Sequence, residues 1–153
     1  MVDLLDYFKM NNLLFFFERI SHTLKKNGLS DIHLIIEPGA LISNYAGFLI
    51  TKVIGKDIIS EQTKVIVDSS VNNLSQWSKP LLLMSTSKAS ALKITTISGT
   101  TCYEDDIFVK SQEIKELFLE DQLIFYPLGA YSSSNYSNLH GLPYPEERYV
   151  SQN

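Results

Sequence analysis

The chain has a single cysteine, Cys102. A lone thiol closes no internal disulfide, so a reducing compartment is expected and the sequence reads as cytoplasmic. No apolar run nears the roughly 20 residues of a membrane-spanning helix. The stretch Leu13-Leu14-Phe15-Phe16-Phe17 is short and runs into charge. The start, Met1-Val2-Asp3-Leu4-Leu5-Asp6, lacks the basic region and long apolar stretch of a secretory signal. Cations are also scarce: 13 Lys and Arg face 17 Asp and Glu, for a net charge of −4. The lysines are scattered and form no basic stripe, which argues against a nucleic-acid surface. There is no internal repeat, and no metal-ligand set is assigned.

What is present suits a globular fold. At 153 residues, with 44% hydrophobic and 20% charged residues, the chain is large enough for a real core. Leu13, Phe16, Phe17, Ile20 and Leu24 recur at three-to-four spacing and predict a helix over 13–26. Asn11 or Asn12 would cap it, and Asn27-Gly28 would end it after Lys25 and Lys26. His22 reads as a helix-surface residue. Ile32 to Ile36 is apolar on both alternating faces except at His33, the mark of a strand buried in a parallel sheet. A helix followed by such a strand looks like the last αβ unit of a barrel.

From Ala40 the pattern changes. Ala40 to Ala46 reads as a short helical or irregular crossing. Strands are predicted over 48–54 (ended by Gly55-Lys56-Asp57), 63–67, 81–84, 92–97 and 122–126. Trp77 is expected to anchor the polar connection before Pro80. Residues 112–119 are left as a short helix or an extended link, and 131–138 as a loop. Short β-branched runs broken by Ser, Asn, Gly and Asp predict an antiparallel barrel or sandwich. The fold class is therefore α+β and mainly β. Residues 1–39 would be the end of a barrel and 40–153 a C-terminal β-domain.

Three stretches carry chemistry. Gly99-Thr100-Thr101-Cys102-Tyr103-Glu104-Asp105-Asp106 holds the thiol in a loop between two apolar segments. On spacing alone, Cys102 is a general acid, a nucleophile, or a small semi-buried apolar residue. Ile35-Ile36-Glu37-Pro38-Gly39 runs into a turn, since Pro38 disfavours helix at Glu37 and Gly39 permits a sharp exit. Leu128-Gly129-Ala130-Tyr131 follows a strand. In this order the three resemble the fold-type III pyridoxal-phosphate decarboxylases, which act on ornithine, arginine and diaminopimelate and have relatives in siderophore and natural-product pathways. The tail Asn138-Leu139-His140-Gly141-Leu142-Pro143-Tyr144-Pro145-Glu146-Glu147 is similar to the closing segment of that family. The resemblance runs roughly from Leu13 to Val150.

The resemblance implies a (β/α)8 barrel joined to a C-terminal β-domain of the alanine racemase and decarboxylase type. It also implies pyridoxal 5'-phosphate held by a barrel lysine, and a small amino-acid substrate of polyamine or natural-product metabolism. Glu37 would face the pyridine nitrogen of the cofactor and keep it protonated. Gly39 would lie at the cofactor, and the Tyr131 hydroxyl would bond its phosphate. Cys102 would donate a proton to the substrate carbon, because a thiol pKa is readily tuned towards working pH. The cysteine loop completes the site of a second subunit in the family, so a dimer is implied. Asp106 would lie near substrate or hold the loop. Tyr103 stands where many members carry an acidic residue that binds a distal amine, which argues against a simple diamine-type substrate.

The chain departs from the pattern elsewhere. None of its lysines matches the context of the cofactor lysine. Met1 to Asp6 stands where the family has a glycine-rich phosphate loop. Ala40 replaces an arginine after Glu-Pro-Gly, a loss worth about 1.5–3 kcal/mol of phosphate contact, or roughly ten- to a hundred-fold in affinity. Asp68-Ser69-Ser70 replaces Asp-Gly-Gly. The expectation is an enzyme part: not active alone, binding cofactor only with a barrel-bearing chain. The alternative is a non-catalytic homologue that binds and regulates an intact decarboxylase.

Overall fold

The computed structural model describes residues 10–37, 39–60, 62–74 and 79–150. It divides into two compact units, Met1–Glu37 and Pro38–Asn153.

In the first unit, helix α1 spans Met10–Lys26. Asn11 and Asn12 lie inside it rather than ahead of it. The predicted stop is present: Gly28 takes φ +70°, and the Leu29 N–H donates to Leu24 O at 2.9 Å. Asn27 Nδ2 also donates to Thr23 O at 2.8 Å. Phe15, Phe16 and Phe17 are exposed along α1. The expected strand at Ile32 to Ile36 does not form among the described residues, which offer the segment no ladder partner. An extended run becomes a strand only when a neighbour takes its hydrogen bonds. Leu34, Ile35 and Ile36 are exposed.

The second unit is a six-stranded sheet that nearly closes into a barrel. After the short helix α2, Ala40–Ser43, and a 3-10 turn, Asn44–Ala46, come β1 Leu49–Ile59, β2 Gln62–Val67, β3 Leu81–Ser85, β4 Leu92–Ser98, β5 Ile107–Lys115 and β6 Gln122–Tyr126. The strand order is β3-β6-β1-β2-β4-β5. All neighbours are antiparallel except β2 and β4, which run parallel. Between the two ends of the order, just after β3 and β5, Ser87 Oγ donates to Glu116 O at 2.5 Å. Inward residues of several strands meet in one core: Val53, Val65, Val67, Ile97, Leu123 and Phe125 are fully buried. Each such side chain contributes about 1.5–3 kcal/mol by burial.

Three expectations need correction. β1 runs through Gly55 to Ile59 instead of ending there. Gly55 lies at a register shift in the β1–β2 ladder, where a β-carbon would sit 3.4 Å from Ile66 Cβ. Residues 112–115 are neither helix nor link but the end of β5. The sheet is not wholly antiparallel. Trp77 and Met1 to Asp6 lie outside the described residues.

Candidate functional site

Two corners of the β-unit carry the predicted residues. The first joins the Gly39 turn to Tyr131. After β6 the chain is pressed against the 3-10 turn, with Leu128 N–H donating to Gly47 O at 2.9 Å and Gly129 N–H to Asn44 O at 2.7 Å. The approach is backbone on backbone. A β-carbon on Gly47 would lie 2.6 Å from Gly129 Cα, and one on Gly129 would lie 2.7 Å from Gly47 N and collide with Ser43 O. Only glycine at both positions permits this. The contact fixes the next residues: Ala130 is buried, and Tyr131 follows at φ +59°. Gly39, at φ +55°, has the Tyr131 hydroxyl 3.4 Å from where a β-carbon would stand. Two residues 92 positions apart thus lie side by side, the phenol oxygen against the glycine backbone.

The second corner is the cysteine loop. Asp106 is buried, and its carboxylate is the hub. It accepts from Val71 N–H at 2.9 Å, Thr101 N–H at 3.0 Å and Thr101 Oγ1 at 2.6 Å. Gly99 N–H donates to Asp106 O at 2.8 Å, and a β-carbon on Gly99 would collide with the carboxylate. Asp106 therefore ties the loop together through these bonds. A carboxylate that accepts several N–H and O–H bonds is secured against the cost of burial. Cys102 stands exposed on the outer turn, so the reading of it as a semi-buried apolar residue is overturned. The glycine and the aspartate hold the bend shut from inside, leaving the thiol outside. Tyr103 is half exposed, its ring 5.4 Å from that of His140.

The Asp68 to Asn73 segment links this loop to the tail. Asp68 accepts from Thr51 Oγ1 and from Lys52 N–H at 2.8 Å, fixing the end of β2 on β1. Ser69 O accepts from Thr100 N–H at 3.0 Å. Ser70 is buried, and its Oγ accepts from Asn72 N–H at 3.1 Å. Of the two serines that replace glycines, Ser70 is thus used structurally through its side chain. Asn73, which sequence reasoning did not single out, is buried; its Nδ2 donates to Ser137 O at 2.7 Å and Leu139 O at 3.0 Å. In the tail, hydrogen bonds from Tyr144 and Tyr149 hold the Glu147 carboxyl below its ordinary range. Glu37 is exposed and belongs to the first unit.

The match to known proteins falls on this β-unit. The family model described as pyridoxal-dependent decarboxylase, C-terminal sheet domain, matches residues 40–129, which includes the whole cysteine loop. A diaminopimelate decarboxylase from Helicobacter pylori is 29% identical over 118 residues, covering 74% of this chain and 29% of that enzyme. A chloroplastic ornithine decarboxylase from Nicotiana glutinosa is 27% identical over 125 residues, covering 72% of this chain and 29% of the relative. The chain therefore spans about three tenths of the length of these relatives. Among solved structures, the Paramecium bursaria Chlorella virus arginine decarboxylase superposes with a TM-score of 0.67 at 22% identity, over 82% of this chain and 36% of the viral one. The M. jannaschii diaminopimelate decarboxylase gives 0.64 at 22% identity, over 80% and 29%. These two likenesses speak for the fold. With more than half of its residues matched by the family model, the chain belongs to the pyridoxal-dependent decarboxylases, through their C-terminal sheet domain.

Proposed function

We propose that the chain is the C-terminal part of a pyridoxal-phosphate-dependent amino-acid decarboxylase, completing an active site together with a barrel-bearing chain and inactive alone. The observation that supports this most is the Cys102 loop, where a buried carboxylate and a glycine hold a bend that presents an exposed thiol. The cofactor would supply an electron sink for loss of carbon dioxide from the substrate.

The residues present fit part of a cofactor site. At the Gly39–Tyr131 corner a phenol oxygen lies beside a glycine backbone, the pairing a phosphate contact would use. Tyr131 would hold the phosphate there, with Gly39 leaving room for it. Glu37 would pair with the ring nitrogen through its carboxylate. Cys102 would deliver a proton from Sγ to the substrate carbon, and Tyr103 beside it would border the distal end of the substrate. Asp106 acts by positioning the loop. A dimer, or a complex with a barrel-bearing chain, would bring the two corners to their sites. The substrate class is a small amino acid of polyamine or natural-product metabolism, in the cytoplasm.

One feature favours a second reading, a non-catalytic homologue that regulates an intact decarboxylase. Ala40, at the start of α2, brings no cation to the phosphate corner.

Replacing Cys102 with alanine in the assembled enzyme separates the two. The first reading expects cofactor content to be retained and turnover to fall by about 10²–10⁴-fold, or the product to be protonated wrongly. Unchanged turnover and product would remove the thiol from the chemistry.

A further inference from the structure

We infer that the tail segment around His140 positions the outer turn of the Cys102 loop, with the His140 ring against Tyr103 as the operative contact. The inference rests on the catalytic reading of Cys102 for its meaning, but the contact itself stands on geometry.

Asp106 closes the loop by binding Thr101 and anchors it to Val71 of the 71–73 turn. Between Thr101 and Asp106, Cys102 to Asp105 is exposed. The turn holds itself by one longer bond, Asp106 N–H to Tyr103 O at 3.2 Å, and by Ile107 N–H to Asp105 O at 2.7 Å. The ring contact at 5.4 Å, tilted by 56°, braces it from outside through the residue next to the thiol. Ring pairs at such separations attract beyond their buried area.

The tail is built to present that ring. Asn73 grips it on both sides of Asn138, through Ser137 O and Leu139 O, and Ser137 N–H returns a bond to Asn73 O at 3.1 Å. The Tyr136 hydroxyl lies 2.9 Å from Leu142 O and 2.7 Å from Pro143 O, tying the far side. Within this frame His140 adopts φ +59°, a left-handed conformation uncommon outside glycine though more often taken by Asn, Asp and His than by other residues, and Gly141 follows at φ +70°. The 71–73 turn serves both partners: its Val71 N–H binds Asp106 and its Asn73 binds the tail. Loop and tail are thus referenced to one short segment before their rings meet.

The test uses the full chain and reads amide hydrogen exchange at 102–106. His140→Asn removes the ring while keeping a residue that tolerates the left-handed conformation; His140→Phe keeps the ring. Exchange should accelerate about two- to ten-fold in H140N and return to within about twofold of wild type in H140F. Core amides at Val65, Val67 and Ile97 should be unchanged in both. A parallel pair, Tyr103→Leu and Tyr103→Phe, perturbs an exposed residue that no core packing requires; Y103L should accelerate exchange and Y103F should not. Unchanged exchange in both H140N and Y103L would overturn the inference, as would equal acceleration in the ring-keeping variants. Failure of the decarboxylase reading would appear instead as absence of cofactor binding after co-expression with a barrel-bearing chain, with these exchange rates as expected.

Discussion

The Gly39–Tyr131 corner and the Cys102 loop are built by opposite means. At the first, position is set by the absence of side chains: two glycines let one backbone lie on another. At the second, position is set by a side chain, a buried carboxylate collecting donors from two segments. The first arrangement is steric, and its tolerance is a fraction of an ångström in backbone atoms that cannot move aside. The second is electrostatic, and its tolerance depends on how many hydrogen bonds remain. Under the proposed function the same division would hold: the rigid corner would meet a phosphate, and the carboxylate-centred loop would carry the residue that delivers a proton.

Substitutions can break each corner in its own way. Gly129→Ala should have the largest effect, because the added methyl meets Ser43 O and Gly47 N, both backbone. A loss of about 3 kcal/mol or more is expected, seen as a melting temperature lowered by roughly 6–12 °C. Asp106→Ala should follow, at about 2–4 kcal/mol, since it leaves the Val71 and Thr101 donors without an acceptor. Asp106→Asn keeps the shape and should lose about half as much. Denaturant unfolding of the three variants checks the order; D106N as damaging as D106A would mean that the loop needs both carboxylate oxygens as acceptors.

A pair outside both corners provides the smallest effect. Lys56 Nζ lies 2.9 Å from Glu116 Oε1 and 4.5 Å from the centre of the Phe118 ring. The hydrogen bond from Lys56 holds the Glu116 carboxyl below its ordinary range. A carboxylate depressed on folding stabilises above its unfolded pKa, and the contribution disappears as pH falls through the folded value. Glu116→Gln should therefore shift melting by less than about 2 °C at neutral pH. The variant should lose less stability than wild type when acidified below the ordinary carboxylate range, which thermal melts at a series of pH values would read.

The sequence made some of this legible and hid the rest for physical reasons. Helix α1 was readable because its apolar residues keep the helical period, and β2 because Thr63, Val65 and Val67 alternate inward. The last part of β5 was not readable. Its Lys110-Ser111-Gln112-Glu113 run is exposed throughout, so it is a strand by virtue of its ladder to β4 and not of any buried face. Ser111 at φ +48° also breaks the alternation. Ile32 to Ile36 misled in the other direction, its composition suiting a buried strand where the described residues offer no partner. At the site, the motif positions pointed to Tyr131 and Cys102, but the residues that place them act through contacts invisible in one dimension. Gly129 counts for what it lacks, Asp106 for donors 35 positions away at Val71, and Asn73 for a tail more than 60 positions on.

The most direct test of the central claim is an absorption spectrum with pyridoxal phosphate, of the chain alone and after co-expression with a barrel-bearing decarboxylase chain. The account predicts a new cofactor band only in the co-expressed sample, with the label fixed by borohydride found on a lysine of the partner. No band in either sample, with the two chains still co-purifying, would contradict it and favour the regulatory reading.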